Sequence, residues 1–289
     1  ESEILMSIAE TKIYPINTGW LETDQGTYIF WKGAAGEKMW IPVICYLVDT
    51  GEHKILVDTG LPDEERATKY HHKCESRGCL ESPEALRKLG VEPEEIDICI
   101  FTHLHWDHAH NMKAYTNARY ICTQTEFTWA MNPLPLYYRS YESPILGIES
   151  PFSGCVFEFV EGDTEIVPGV SVFPTPGHCP GHQCVTVQTT AGDAVLVGDA
   201  FFRLENIEPN MKEHWRYWVP ARFVNSIDGW KSIEEIDRRA DYVLPAHDER
   251  ILEFDVYPSP GIRIRKRREV IPGAPFFFTG IGTPPKSSY

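Results

Sequence analysis

Hydrophobic positions along this chain fall into short runs separated by turn-forming residues, and none is long enough to span a bilayer. Residues 12–14, 28–31 and 43–49 read as three opening strands, and Asp49-Thr50-Gly51-Glu52 reads as a hairpin turn into 54–58. Residues 82–90 predict a short helix with Ser82 as N-cap, Pro83 in the first turn and Gly90 as its stop. The β-branched run 96–101 predicts a buried strand. A helical turn after His108, a strand at 119–122 and a helix at 124–131 follow. Residues 132–151, rich in Pro, Tyr and Ser, read as a long loop. Further strands are expected at 156–158, 165–167 and 170–173, and a hairpin pairs 184–189 with 194–197 across Ala191-Gly192-Asp193. Ile227, Trp230, Ile233 and Ile236 are spaced for one face of a helix over 226–239, and a last strand precedes Pro245. Strands, helix, strands and helix in this order fit an α/β fold of two stacked sheets with helices outside.

The polar positions that matter stand just past the strand-like runs. Phe101-Thr102-His103-Leu104-His105-Trp106-Asp107-His108 places three histidines and an aspartate within six residues. His178 follows 170–173, Asp199 follows 194–197, and His247 follows 242–244. Imidazole and carboxylate groups are metal ligands, and loops at strand ends let a rigid sheet aim them. One tetrahedral site needs three or four protein ligands; His103, His105, Asp107, His108, His178, Asp199 and His247 offer enough for two cations. Asp58, at the end of another apolar run, is expected to orient a ligand histidine from behind.

The pattern His103-x-His105-x-Asp107-His108, then His178, Asp199 and His247, resembles the ligand set of the metallo-β-lactamase superfamily, with similarity from about Lys12 to about Asp248. Ile55-Leu56-Val57-Asp58-Thr59-Gly60 is similar to that superfamily's early strand-turn signature. Residues 175–183 and 40–48 look most like N-acyl-homoserine lactonases, and the stretch from Tyr28 onward is similar to 4-pyridoxolactonase-like hydrolases. The resemblance implies a four-layer αβ/βα sandwich over 1–251, followed by a Pro- and aromatic-rich C-terminal extension over 252–289. It also implies His103, His105 and His178 at a first metal, Asp107, His108 and His247 at a second, and Asp199 bridging both. Zinc is the expected metal, and manganese, iron or cobalt suit the same ligands.

The implied activity is hydrolytic opening of a cyclic ester, with a metal-bridging hydroxide attacking the carbonyl and Asp107 passing a proton to the leaving group. The lactonases carry a Tyr three residues after the bridging Asp; here that place is Phe202, which has no hydrogen to donate. Tyr217, His214, Tyr137 and Tyr138 are candidate replacements, His110 is a candidate pocket residue, and Arg216 or Arg222 could hold a substrate carboxylate. Three rivals share the core: a glyoxalase II-type thioester hydrolase, an organophosphate or amide hydrolase, and an iron-dependent persulfide dioxygenase. His105 argues against the oxygen-reducing diiron relatives, which carry Glu there.

Composition narrows the partners. The 289 residues carry a net charge of −15, which disfavours nucleic acid and the nuclease branches. A small-molecule substrate without a membrane is expected, in a cytoplasmic protein; a signal peptide removed ahead of Glu1 is the alternative. The eight cysteines match no disulfide framework and read as buried thiols, although Cys74-x4-Cys79 beside His71 and His72 suggests a separate zinc site. The basic run 263–268 and Pro272-Gly273-Ala274-Pro275-Phe276-Phe277-Phe278 are read as a tail or oligomer contact.

Overall fold

The computed structural model describes residues 11–262. A seven-stranded sheet of order β4-β1-β2-β3-β5-β6-β7 faces a five-stranded sheet of order β12-β11-β10-β9-β8. The first contains β1 (Lys12–Asp24), β2 (Lys38–Asp49), β3 (Lys54–Val57), β4 (Cys74–Glu75), β5 (Ile98–Ile100), β6 (Arg119–Thr123) and β7 (Phe157–Val160). The second contains β8 (Thr164–Val167), β9 (Val170–Pro174), β10 (Gln183–Thr189), β11 (Gly192–Gly198) and β12 (Tyr242–Pro245). Ile44, Val48, Ile55 and Ile98 on one sheet meet Val172, Val185, Leu196 and Leu244 on the other, all buried in one core. This dry layer is the main stabilising contact between the halves.

Helices cover both outer faces. α1 (Glu64–Tyr70), α2 (Ser82–Lys88), α3 (Trp106–Ala109) and α4 (Gln124–Met131) accompany the first sheet, and α5 (Ser226–Arg239) the second. Leu86 and Ala130 bury against Leu47, Leu56 and Cys99. Ile233 and Ile236 bury against Phe173, Val195 and Val243, whereas Ile227, in the first turn of α5, stays exposed. The result is the four-layer αβ/βα sandwich.

Two local expectations are corrected. Residues 28–31 do not form a strand: Gln25–Ile29 is a single π-helical turn. The Asp24 carboxylate accepts from the backbone N–H groups of Gly26, Thr27 and Gly36, so the chain coils around it rather than extending. Ser82 is the first helical residue of α2 rather than its cap. Its hydroxyl donates to the Thr59 carbonyl at 2.6 Å and receives the Tyr115 hydroxyl at 2.7 Å. All eight cysteines are free, six of them buried. Leu252, Phe254 and Ile262 pack against the inter-sheet core, and Tyr257 forms an antiparallel bridge with Ile13, so the first residues of the expected extension are built into the sandwich. The basic run and the Pro/Phe segment lie outside the described residues. No described helix is long and apolar enough to cross a membrane.

Candidate metal centre

Four loops deliver the seven ligand-type side chains to one end of the sandwich. β5 leads into His103 and His105, α3 carries Asp107 and His108, and β9, β11 and β12 lead to His178, Asp199 and His247. Ligand atoms of His103, His105, His178 and Asp199 all lie within 4.8 Å of one another, as do those of Asp107, His108 and His247. Asp199 stands between the two groups. Its Oδ2 is 3.2 Å from His178 Nε2 and 3.8 Å from His103 Nε2. Its Oδ1 is 2.9 Å from His247 Nε2 and 3.2 Å from His108 Nε2.

Four of the five histidines are held from behind, and the partners fix which nitrogen looks inward; the outward Nε2 of His105 is buried without a partner. Asp58 accepts from the Thr102 hydroxyl and the backbone of Thr102, both at 2.8 Å. Because Thr102 spends its one hydrogen on Asp58, it accepts from His103 Nδ1 at 3.0 Å, which leaves a lone pair on His103 Nε2. His247 Nδ1 donates to the Pro42 carbonyl at 2.8 Å, and His178 Nδ1 to the Arg222 carbonyl at 3.3 Å. His108 Nδ1 donates to Asp58 at 2.8 Å. His105 turns Nδ1 inward, 3.0 Å from both His103 Nε2 and His178 Nε2.

The convergence of lone pairs tests the site for a cation. Nitrogen lone pairs and carboxylate oxygens at about 3 Å with no hydrogen between them repel, unless a positive ion sits among them. Two of these atoms, His108 Nε2 and Asp199 Oδ1, are buried with no hydrogen-bond partner. The residues fit divalent metal. Electrostatics agree: burial, then neighbouring imidazoles, hold His103 and His105 far below the ordinary histidine range. Burial also opposes charge on His108, yet Asp199, Asp58 and Asp107 overcome it and raise that ring well above its usual value. This half of the site draws positive charge.

Asp58 pays for its position with backbone strain, since its φ of 60° is left-handed for a non-glycine residue. Asp58→Asn is expected to weaken metal binding by roughly 10–100-fold, because the amide cannot accept from both Thr102 and His108 as the carboxylate does. Competition with a chelator measures it; unchanged affinity would show that Asp58 is only a turn residue. On the other side His182 accepts from the Asp199 backbone N–H through Nε2 at 3.1 Å and contacts Thr175 Oγ1 through Nδ1 at 2.8 Å. Gly198 (φ 49°) has no room for a Cβ, which would lie 2.6 Å from Thr102 Oγ1 and 2.9 Å from His182 Nε2.

A cleft of about 320 Å³ opens over the ligands. Phe202 lines it, with its ring 5.8 Å from His178 and 5.4 Å from His247. Of the other residues singled out as substrate contacts, Arg222 also lines the cleft, whereas Tyr217, Arg216, His214 and His110 are placed elsewhere. Tyr217 is fully buried, and its hydroxyl donates to Asp237 at 3.0 Å. Arg216 pairs with the same Asp237 at 3.5 Å, and His214 belongs to the turn closed by the Asn210–Trp215 bridge. The aromatic density of 213–220 is packing: Trp218 stacks on Phe30 at 4.3 Å and donates to the Trp31 carbonyl. His110 is not a cleft residue; burial drops its pKa to about 4, and its Nδ1 is buried without a partner.

Tyr28, His71, His72, Arg139 and Ser140 line the cleft with Arg222. His71 and His72 had suggested a separate zinc site with Cys74 and Cys79, but among the described residues no metal-type cluster joins them. His71 stacks flat on Trp106, centroids 3.9 Å apart, and its Nε2 lies 2.9 Å from the buried Glu142 carboxylate, which also takes Arg66 at 2.8 Å. Burial opposes the charge on Glu142, but His71 and Arg66 outweigh it and hold its carboxyl below the ordinary glutamate range. A depressed carboxylate contributes stability that is present above its unfolded value and lost as pH falls through the folded one. Acid unfolding below about pH 4.5 is therefore expected to be less steep in Glu142→Gln, as followed by circular dichroism. An unchanged pH slope would refute the linkage.

Two stacked sheets between helices, with clustered imidazole and carboxylate ligands at one end, define a metal-dependent hydrolase. The chain belongs to the metallo-beta-lactamase superfamily, whose family model matches residues 40–247. It is 34% identical over 183 residues to an N-acyl homoserine lactonase of Bacillus thuringiensis, covering 60% of this chain and 69% of that protein. It is 29% identical over 184 residues to the lactonase AiiB of Agrobacterium fabrum, covering 58% and 66%. The solved structure of an N-acyl homoserine lactone hydrolase with product N-hexanoyl-L-homoserine at its catalytic metal center superposes with a TM-score of 0.68. That match has 28% identity and covers 87% of this chain and 99% of the other.

Proposed function

We propose that this protein is a dinuclear metal hydrolase that opens a lactone ring. The observation that carries the reading is Asp199, whose two oxygens serve two separate ligand groups at 2.9–3.8 Å. His103, His105 and His178 would hold one divalent ion, Asp107, His108 and His247 the other, and Asp199 both. Zinc suits this nitrogen- and oxygen-donor set. When bound, such ions supply Lewis acidity and water that ionises near neutral pH.

The protein's own groups account for the rest. Asp58, Thr102, Pro42 and Arg222 fix the imidazoles so that the ligand geometry needs no rearrangement during reaction. Phe202, Ile29 and Ile41 dry the wall beside the ligands, which strengthens every charge interaction there. Asp107, the least covered of the seven ligand-type residues at 9% exposure, faces the cleft and can carry a proton to the departing ring oxygen. Kinship with N-acyl homoserine lactonases supports the substrate class. A panel of γ- and δ-lactones assayed with metal-loaded protein tests it: ring opening that stops on chelation is expected, and turnover of thioesters alone would overturn it.

A further inference from the structure

The described residues include eleven arginines. Nine of them have a carboxylate oxygen within 4.0 Å, from Arg66 with Glu142 to Arg250 with Asp248. Among the described residues Arg139 and Arg222 have no such partner, and both line the cleft over the ligand cluster. In a chain with 42 acidic residues and a net charge of −15, carboxylate partners are abundant. Two arginines without one, on the wall of the same cavity, mark a place where an outside anion completes the charge balance.

The arrangement is anchored. Arg222 gives its backbone carbonyl to His178 Nδ1, so its main chain is tied to the ligand cluster. Its guanidinium lies 5.1 Å from the centre of the Tyr137 ring and donates once, through Nη2, to Ser140 Oγ at 3.1 Å. A guanidinium has five N–H groups in a planar fork, so most remain for a planar acceptor. Arg139 reaches the Tyr70 carbonyl through Nη1 at 3.5 Å, at the outer limit of a hydrogen bond. Arg139 is itself exposed, and Leu136, which lines the same cleft, is 82% exposed, so the arginine wall is reachable from outside.

We propose that Arg222 and Arg139 form a carboxylate-binding subsite, and that the substrate is a lactone bearing a carboxylate substituent. This rests on the lactone reading above and selects within it: neutral lactones lack the group that the subsite reads.

The test compares a γ-butyrolactone carrying a ring carboxylate with its neutral primary amide, using the metal-loaded protein. kcat/KM for the acid is expected to exceed that for the amide by roughly tenfold or more. In the Arg139→Gln/Arg222→Gln double variant the ratio is expected to fall to about one, while Arg222→Lys, which keeps the charge, retains part of it. Ring opening of both compounds without preference overturns the subsite and leaves lactone hydrolysis standing. A preference that survives in the double variant also overturns it, because other groups are then reading the carboxylate. Turnover of neither compound removes the lactone reading and this proposal with it.

Discussion

Asp199→Ala is expected to lower kcat/KM for lactone opening by about a thousandfold or more and to leave less than half of the bound metal. The size follows from geometry. Asp199 is the one side chain whose two oxygens reach both ligand groups, at 3.2 Å from His178, 2.9 Å from His247 and 3.2 Å from His108. Without it, six ligand-type side chains remain, and five of them are imidazoles with their inward nitrogens close together. Asp199→Asn keeps the shape but removes the charge, and its effect should lie between. Metal analysis alongside kinetics separates the outcomes. Full activity with full metal would mean that the carboxylate only fills space.

Glu126→Ala carries the largest expected loss of stability, about 3–5 kcal/mol. Glu126 sits in the first turn of α4 with 0% exposure. Its Oε1 accepts from the backbone of Leu104 and the hydroxyl of Tyr141, both at 2.9 Å, and its Oε2 accepts from Cys179 Sγ at 3.0 Å. Leu104 lies between His103 and His105, and Cys179 follows His178, so one buried carboxylate ties two ligand loops together. Thr123, which caps α4, adds a bond from its hydroxyl to the Gly181 carbonyl at 2.7 Å. Burial raises the Glu126 pKa against these hydrogen bonds.

Truncation to Ala leaves three buried donors unsatisfied and opens a cavity. A fall in melting temperature on the order of 10 °C is expected, with weaker metal binding from the loosened loops. Glu126→Gln keeps an acceptor oxygen for Leu104 and Tyr141 and should lose about 1–2 kcal/mol. Equal losses in the two variants would show that the hydrogen bonds contribute little and that only volume matters.

The cluster of ligand-type side chains was legible because its residues are chemically distinctive and stand just past strand-like runs. The stacked sheets were legible from the order of those runs. The cleft walls were legible only at Phe202 and Arg222. Tyr28, His71 and Arg139 come from separate segments far apart in sequence and meet Arg222 only through the fold. The candidates His214, Arg216 and Tyr217 were misplaced because their segment packs against Phe30 and Trp31 instead of lining the site. The Tyr28 segment was hidden for a different reason: the Asp24 cap overrides a strand-like run of apolar residues. Glu126 gave no sign, since nothing in its neighbours marks a glutamate on a short helix as buried.

Metal stoichiometry against rate is the most direct test. Metal-free protein titrated with zinc should gain lactone ring-opening activity up to two ions per chain. Activity complete at one ion per chain would contradict a dinuclear centre bridged by Asp199. A single iron, with oxygen consumed and no lactone opened, would replace the hydrolase with a sulfur dioxygenase.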